Sequence, residues 1–158
     1  MSLILFAPLF LAAFAAIWLG ILFLLSRMSG WNRLHAAYPH DGTPMPVRRV
    51  MQSASMGYSP YFPVRFRSVL TLGTDGIHLY LRPGFLFGVM HPALAIPMSE
   101  IRAEHHRGIL GQLLHLRTSR EPGIVIILHE RLTRWLIENG ARGLAAQIPD
   151  MDESRDLG

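Results

Sequence analysis

The side chains best suited to chemistry in this sequence are its eight histidines. His105 and His106 form the closest pair, but neighbours on a strand point to opposite faces and cannot easily share a metal ion. The other candidates lie on separate predicted elements without the spacing of a known metal site; they are His78, His91, His115 and His129. We therefore interpret the histidines as surface or packing residues, and we expect neither a metal nor another cofactor.

Acid–base catalysis needs two carboxylates, or a histidine and a carboxylate, in one cleft. Glu100 and Glu104 lie four residues apart, but the local pattern indicates the start of a strand, where that spacing keeps them far apart. Ser99 lies in no Gly-x-Ser-x-Gly elbow, and no glycine-rich phosphate loop is present. The chain also has no cysteine, which excludes disulfides and thiolate chemistry. We expect a protein that is not an enzyme.

The basic residues are all arginine, and the formal net charge is only +4. Arginine holds carboxylates and phosphates through a planar fork, so a mildly basic chain of this kind suits an anionic membrane surface. Nucleic-acid binding would need a dense basic stripe, which the sequence lacks. We expect no nucleic-acid partner.

A long apolar segment opens the chain at residues 3–25, interrupted only by Pro8 and Gly20. Its 23 residues would rise about 34 Å as a helix, enough to cross a hydrocarbon core of about 30 Å. A cleaved signal peptide is the alternative interpretation. The segment is longer than a usual signal core, no basic residue precedes it, and no small-x-small site follows it. We predict an uncleaved transmembrane helix.

The charges that flank this helix predict its direction. Arg27, Arg33, Arg48 and Arg49 follow it, against the single acid Asp41, and only two residues precede it. Positive charge stays on the cytoplasmic side of a membrane. The N-terminus is therefore expected outside and the rest of the chain in the cytoplasm.

Two features of the anchor could make contacts of their own. Ala12, Ala16 and Gly20 form a row of small residues that would let a neighbouring helix approach closely. Trp31 follows the helix, where an indole could lie among lipid headgroups or pack against the rest of the chain. The sequence leaves both roles of Trp31 open.

The remaining chain divides into three predicted regions. Residues 26–63 indicate a short amphipathic helix and then a connector rich in proline and glycine, with one short strand at 47–53. Residues 64–140 indicate about seven short strands and a C-terminal amphipathic helix at 130–139, and 141–158 a polar tail. The predicted strands are 64–72, 77–82, 85–90, 94–97, 101–106, 113–118 and 124–128.

This order of elements resembles the pleckstrin-homology (PH) and GRAM superfold, a bent barrel with one end plugged by the helix. The resemblance covers residues 64–140 and is sharpest in the hairpin 70–81 and in the I-P-x-x-x-I segment 96–101. Residues 30–39 also resemble small bacterial proteins that join one membrane helix to such a domain. The resemblance implies a location in the bacterial inner (cytoplasmic) membrane.

PH domains often hold lipid phosphates with basic residues near the first hairpin. The resemblance therefore implies anionic-headgroup contact by Arg65 and Arg67, with Arg82 across the hairpin. The apolar run Phe85, Leu86 and Phe87 has two interpretations. It is either a buried strand or an exposed loop, flanked by glycines, that dips into lipid or docks on a partner.

The leading hypothesis is a non-enzymatic accessory or scaffolding subunit of a larger membrane protein complex, for example a bioenergetic one. Its expected partners are membrane lipids and other membrane protein subunits. The alternative is a module that binds an anionic lipid or small ligand at the cytoplasmic membrane surface.

Overall fold

The computed structural model describes residues 3–58, 66–108 and 111–148. The helices are α1 Leu3–Met28, α2 Trp31–Ala37, α3 Phe85–Gly88, α4 Glu130–Glu138 and α5 Arg142–Ala145, with a 3-10 turn at Met98–Glu100. The strands are β1 Val47–Gly57, β2 Phe66–Thr74, β3 His78–Pro83, β4 Leu94–Pro97, β5 Ile101–Gly108, β6 Gly111–Thr118 and β7 Val125–His129.

Helix α1 follows from a strongly apolar sequence, and its proline, Pro8, lies near the N-terminal end in the second turn. Its segment Phe6–Met28 could cross a membrane by length and apolar composition. Large side chains such as Phe10, Phe14 and Ile17 are mostly exposed along it. Within the described residues, this apolar N-terminal helix packs against the rest of the chain near its C-terminal end.

The seven strands form one antiparallel sheet in the order β4-β3-β2-β1-β7-β6-β5. The sheet is curled into a half-barrel, with β4 and β5 as its two edges. Alternating apolar residues line the concave side, so that Leu72 lies opposite Leu81, and Leu116 opposite Ile126, in the core.

The predicted C-terminal helix is confirmed as α4, which closes the half-barrel through Leu132 and Leu136. Gly140 ends it with a φ of 104°, the left-handed backbone that glycine adopts most easily. Residues 141–158 were expected to form a polar tail, but the first part of this region packs against the core. Leu144 and Ile148 are buried in the core, and 149–158 lie outside the described residues.

The predicted strand at 85–90 is wrong, because the chain forms the short helix α3 there. The hydrogen bonds are local: the amide nitrogens of Phe87 and Gly88 donate to the Gly84 carbonyl at 2.9 and 3.0 Å. The pairing of β3 with β2 ends where Pro83 lies opposite Leu70. An apolar run flanked by glycines does not by itself distinguish a strand from a turn of helix.

The seventh strand is instead β1, which lies at the centre of the sheet between β2 and β7. Residues 47–53 were expected to form a short strand within a connector, whereas Val47–Gly57 is eleven residues long. The sheet therefore starts at Val47, within the predicted connector 26–63. The pairing of β1 with β7, such as Met56 opposite Ile126, is a distant contact that local composition cannot reveal.

Candidate functional site

The end of α1 is built into the half-barrel. Leu22, Ser26 and Ser29 are each about 1% exposed, and Leu25 packs against the core. These residues recur at three- and four-residue spacing, so they lie on one face of the helix. A free tether would leave that face in solvent. The helix and the sheet domain therefore meet in a packed junction.

A serine hydroxyl holds this junction together. Ser26 Oγ lies 2.7 Å from Asn32 Oδ1 and 3.0 Å from the carbonyl oxygen of Met90. The contact joins three parts of the chain, because Asn32 belongs to α2 and Met90 follows α3. A hydroxyl has one proton to donate, so the two oxygens share it.

Trp31 starts α2 and is fully buried. Its Nε1–H donates to the Pro92 carbonyl at 2.9 Å, and its ring meets the edge of His91 with centroids 5.5 Å apart. Of the two roles left open by the sequence, packing is the one that the structure supports. Burial lowers the pKa of His91, which favours a neutral ring at pH 7.

Helix α3 divides the apolar run 85–87 between two environments. Phe85 is 92% exposed, whereas Phe87 packs against the core and its ring centroid lies 6.1 Å from that of Trp18 in α1. Val89, four residues after Phe85, is also exposed. The side chain of Leu86 lies outside the described residues. The run is thus neither a buried strand nor a wholly exposed loop.

A cavity of about 340 Å³ lies beside the end of α1, lined by Phe23, Arg27, Asn32, Arg33 and Tyr58. The Arg27 guanidinium carbon lies 5.6 Å from the centre of the Phe23 ring. Arg33 Nη2 pairs with Glu121 at 2.9 Å, and this charge raises the pKa of Arg33.

Sequence reasoning missed this cavity. The i, i+4 spacing of Phe23 and Arg27 was a usable signal. Tyr58 and Glu121 are distant in the sequence, and only the tertiary fold brings them close to these two residues.

The arginines expected to contact lipid are only partly described. Arg65 lies outside the described residues, and the side chain of Arg67 is likewise outside them. Arg82 is exposed on β3, and it lies opposite Thr71 of the neighbouring strand β2. Arg67 lies on β2 as well, four residues before Thr71, and residues at even spacing on a strand share one face. Arg67 and Arg82 thus occupy register positions on the same sheet face.

The small-residue row of α1 is exposed at Ala12, Ala16 and Gly20. Helical residues are rotated by about 100° each, so Gly20 points about 160° away from both Trp18 and Leu22. A Cβ added at Gly20 would meet nothing within 4 Å. The row therefore faces away from the packed junction.

A cluster of Tyr38, Glu100 and Arg120 braces α2 against the turn before β5. Tyr38 Oη donates to Glu100 Oε2 at 2.7 Å, and Arg120 donates to both carboxylate oxygens at 3.0 and 2.9 Å. Hydrogen bonds from Arg120 lower the pKa of Glu100. A carboxylate held by three donors is a poor base, so the arrangement favours structure over proton transfer.

A second cluster caps the β2–β3 hairpin. Asp75 accepts hydrogen bonds from the backbone of Ile77 and from the His78 and Tyr80 side chains at 2.8, 3.0 and 2.7 Å. Partial burial raises the pKa of Asp75, but these bonds outweigh it and lower the pKa far below its usual range. Burial and the Asp75 charge raise the pKa of Tyr80 to about 12.

Metal-ligating side chains do not converge in the part of the chain that the structure describes. There, no group of three or more His, Cys, Asp or Glu side chains could hold an ion. His106 and His115 stack with ring centroids 4.1 Å apart, and Glu104 lies 3.9 Å from His106. His105 and His106 occupy consecutive positions of β5, opposite Leu114 and Leu113.

Comparison with protein-family models, with curated proteins and with solved structures finds no match to this chain.

Proposed function

We propose that this chain is a non-enzymatic, single-pass membrane protein that acts as an accessory or scaffolding subunit of a larger membrane protein complex. In this proposal its half-barrel is a PH/GRAM-like module on the cytoplasmic side of a bacterial inner membrane, with the N-terminus outside. The observation that carries the proposal is the burial of Leu22, Ser26 and Ser29 at the end of α1.

The packed junction favours a scaffolding role over that of a binding domain on a flexible tether. A domain on a flexible linker searches a volume for its ligand. A domain fused to its anchor by a buried face holds one orientation relative to the membrane, as a subunit contacting fixed neighbours requires. The junction also favours an anchor over a removable leader, because removal of α1 would expose the apolar surface that Leu22 and Leu25 cover.

The free side of α1 supports a partner within the membrane. Helices associate in lipid through close packing at small residues. Ala12, Ala16 and Gly20 are exposed and face away from the half-barrel, so a neighbouring helix could reach them without disturbing the junction. The cytoplasmic location is supported by Arg27 and Arg33 at the domain end of the helix.

Site-specific photo-crosslinking in native membranes tests the proposal. A photoreactive amino acid at Ala16 is compared with one at Phe14, which is exposed but points about 160° away on the same helix. The proposal expects that the probe at position 16 crosslinks to one discrete protein, whose amount stays in constant ratio to that of this chain. The probe at position 14 should give little protein adduct. Adducts to lipid alone at both positions, together with a monomer after mild detergent extraction, would contradict it.

The cavity beside α1 favours a second candidate, binding of an anionic lipid. Arg27 and Arg33 offer charge and hydrogen-bond donors to a phosphate, while Phe23 lies one turn further into the apolar helix. The pairing of Arg33 with Glu121 leaves Arg27 as the principal cation. This location differs from the arginines of the first hairpin that the PH/GRAM resemblance indicates.

Native mass spectrometry of the detergent-extracted protein tests this candidate. The double variant Arg27→Gln, Arg33→Gln is expected to retain less phosphatidylglycerol than the unaltered chain, with retention of phosphatidylcholine unchanged. Arg131→Gln, on the exposed side of α4, is the matched control and should behave as the unaltered chain. Equal retention by the double variant and the control would exclude the cavity as the lipid site.

A further inference from the structure

We infer that α3 is a second membrane attachment, in which Phe85 and Val89 insert among the acyl chains of the leaflet that faces the half-barrel. The occupant of this exposed apolar surface is lipid. The inference rests on that part of the proposed function in which α1 crosses a membrane. It adds that the half-barrel itself enters the edge of the bilayer.

The inference depends on where α3 lies along the length of α1. The polar residues Ser26 and Asn32 meet at the junction, so the hydrocarbon boundary falls on the N-terminal side of them. Residues 3–22 rise about 30 Å as a helix, which matches a hydrocarbon core and places the boundary near Leu22. Trp18 then lies about 6 Å inside that boundary, among the acyl chains just below the headgroups.

The contact between Trp18 and Phe87 brings α3 to the same depth. Their ring centroids are 6.1 Å apart, so α3 lies beside the helix turn that carries Trp18. The Ser26 hydroxyl meets the Met90 carbonyl further along the same face of α1. Segment 85–90 therefore runs alongside the last turns of the membrane helix and cannot lie away from the bilayer when α1 spans it.

The two faces of α3 have different surroundings. Phe87 faces inward and packs against the core, whereas Phe85 and Val89, one helical turn apart, are 92% and 66% exposed. In water this exposure of a phenyl ring and a branched aliphatic side chain is unfavourable. At the depth of Trp18 the same two side chains meet acyl chains, so their exposure is stabilising.

The polar groups near α3 fit an interfacial depth. Gly84 N donates to the Val69 carbonyl, and the amides of Phe87, Gly88 and Met90 donate to carbonyls within the segment. These internal hydrogen bonds reduce the cost of placing this backbone near acyl chains. Arg82, two residues before Gly84, is exposed. Its long side chain can reach the headgroups while Phe85 lies deeper.

Single-cysteine fluorescence measures this depth directly, because the natural chain has no cysteine to label. An environment-sensitive probe is attached to Phe85→Cys or Val89→Cys in the full chain, reconstituted in phosphatidylcholine vesicles. Both positions are exposed, so the change leaves the core intact. Phe14→Cys reports the membrane helix, and Ile77→Cys reports the turn before β3, at the far end of that strand from α3.

The expected result is that probes at 85 and 89 are quenched by spin-labelled lipid and protected from aqueous iodide, as the probe at 14 is. The probe at 77 should show the opposite behaviour. Quenching of 85 and 89 by iodide, with 14 still protected, overturns the inference and leaves the membrane anchor standing. Protection of 85 only after another protein is added also overturns it. Iodide access at 14 overturns the membrane anchor and the inference together.

Discussion

The hydroxyl of Ser26 lies 3.0 Å from the carbonyl oxygen of Met90, although the two residues are 64 positions apart. This contact joins α1 to the segment after α3, and both groups lie in a largely buried junction. Orientation of the half-barrel relative to α1 depends on contacts of this kind.

Removal of the Ser26 hydroxyl is expected to weaken the junction. Ser26→Ala leaves the Met90 carbonyl without this donor, which should lower the free energy of unfolding by about 1–2 kcal/mol. Thermal unfolding of the full chain in a nonionic detergent measures the change. Ser99→Ala, at an exposed serine, is the control and should be nearly neutral. Equal effects of the two variants would contradict a role for the hydroxyl.

Truncation of Trp31 is expected to be among the most damaging single changes. Its side chain is fully buried and its Nε1–H donates to the Pro92 carbonyl. Trp31→Ala should cost about 3–5 kcal/mol through lost burial and a residual cavity. Trp135→Ala, at a partly buried tryptophan of α4, should cost less in the same denaturation measurement. The reverse order would place Trp31 outside the core.

Gly30 is expected to tolerate no side chain. Its φ is 80°, and an added Cβ would lie 2.7 Å from Ile124 Cδ1. Gly30→Ala should therefore destabilise the protein by about 2 kcal/mol or more, since strain and overpacking add. Gly123→Ala is the matched control, because a Cβ there meets nothing within 4 Å. Comparable unfolding midpoints for the two variants would refute the close approach of α2 to Ile124.

Acid is expected to destabilise the hairpin cap. The folded pKa of Asp75 is depressed by its hydrogen bonds from His78 and Tyr80, which outweigh partial burial. Between the folded and unfolded pKa values the unfolded chain binds more protons, so stability rises with pH there. This contribution is complete above an unfolded value of about 4 and falls as the pH drops toward the folded pKa.

Denaturation measured from pH 7 down to pH 2 tests this behaviour. Asp75→Asn cannot ionise, so the variant should be less stable at pH 7 and should lose less stability on acidification. Glu138→Gln is the control, because the Glu138 side chain is exposed at the end of α4, away from the hairpin cap. A profile for Asp75→Asn that runs parallel to that of the unaltered chain would show that Asp75 does not contribute.

Local patterns in the sequence determined much of this architecture. A long apolar run predicts α1, because a single segment can satisfy its own backbone in an apolar setting only as a helix. Alternating residues predict β3, a short apolar run predicts β4, and the change to helical spacing near Leu132 and Leu136 predicts α4. Each of these signals is short-range: it depends on neighbours a few residues away.

Tertiary structure decided the features on which the proposed function depends most. Phe85 and Phe87 have the same side chain and nearly the same neighbours, yet only Phe87 meets Trp18 and the core. The strand β1 exists as a central element because β7 pairs with it. Burial of Trp31 and the cavity at Arg27 likewise depend on contacts between distant residues, and such contacts leave no periodic signal in the sequence that forms them.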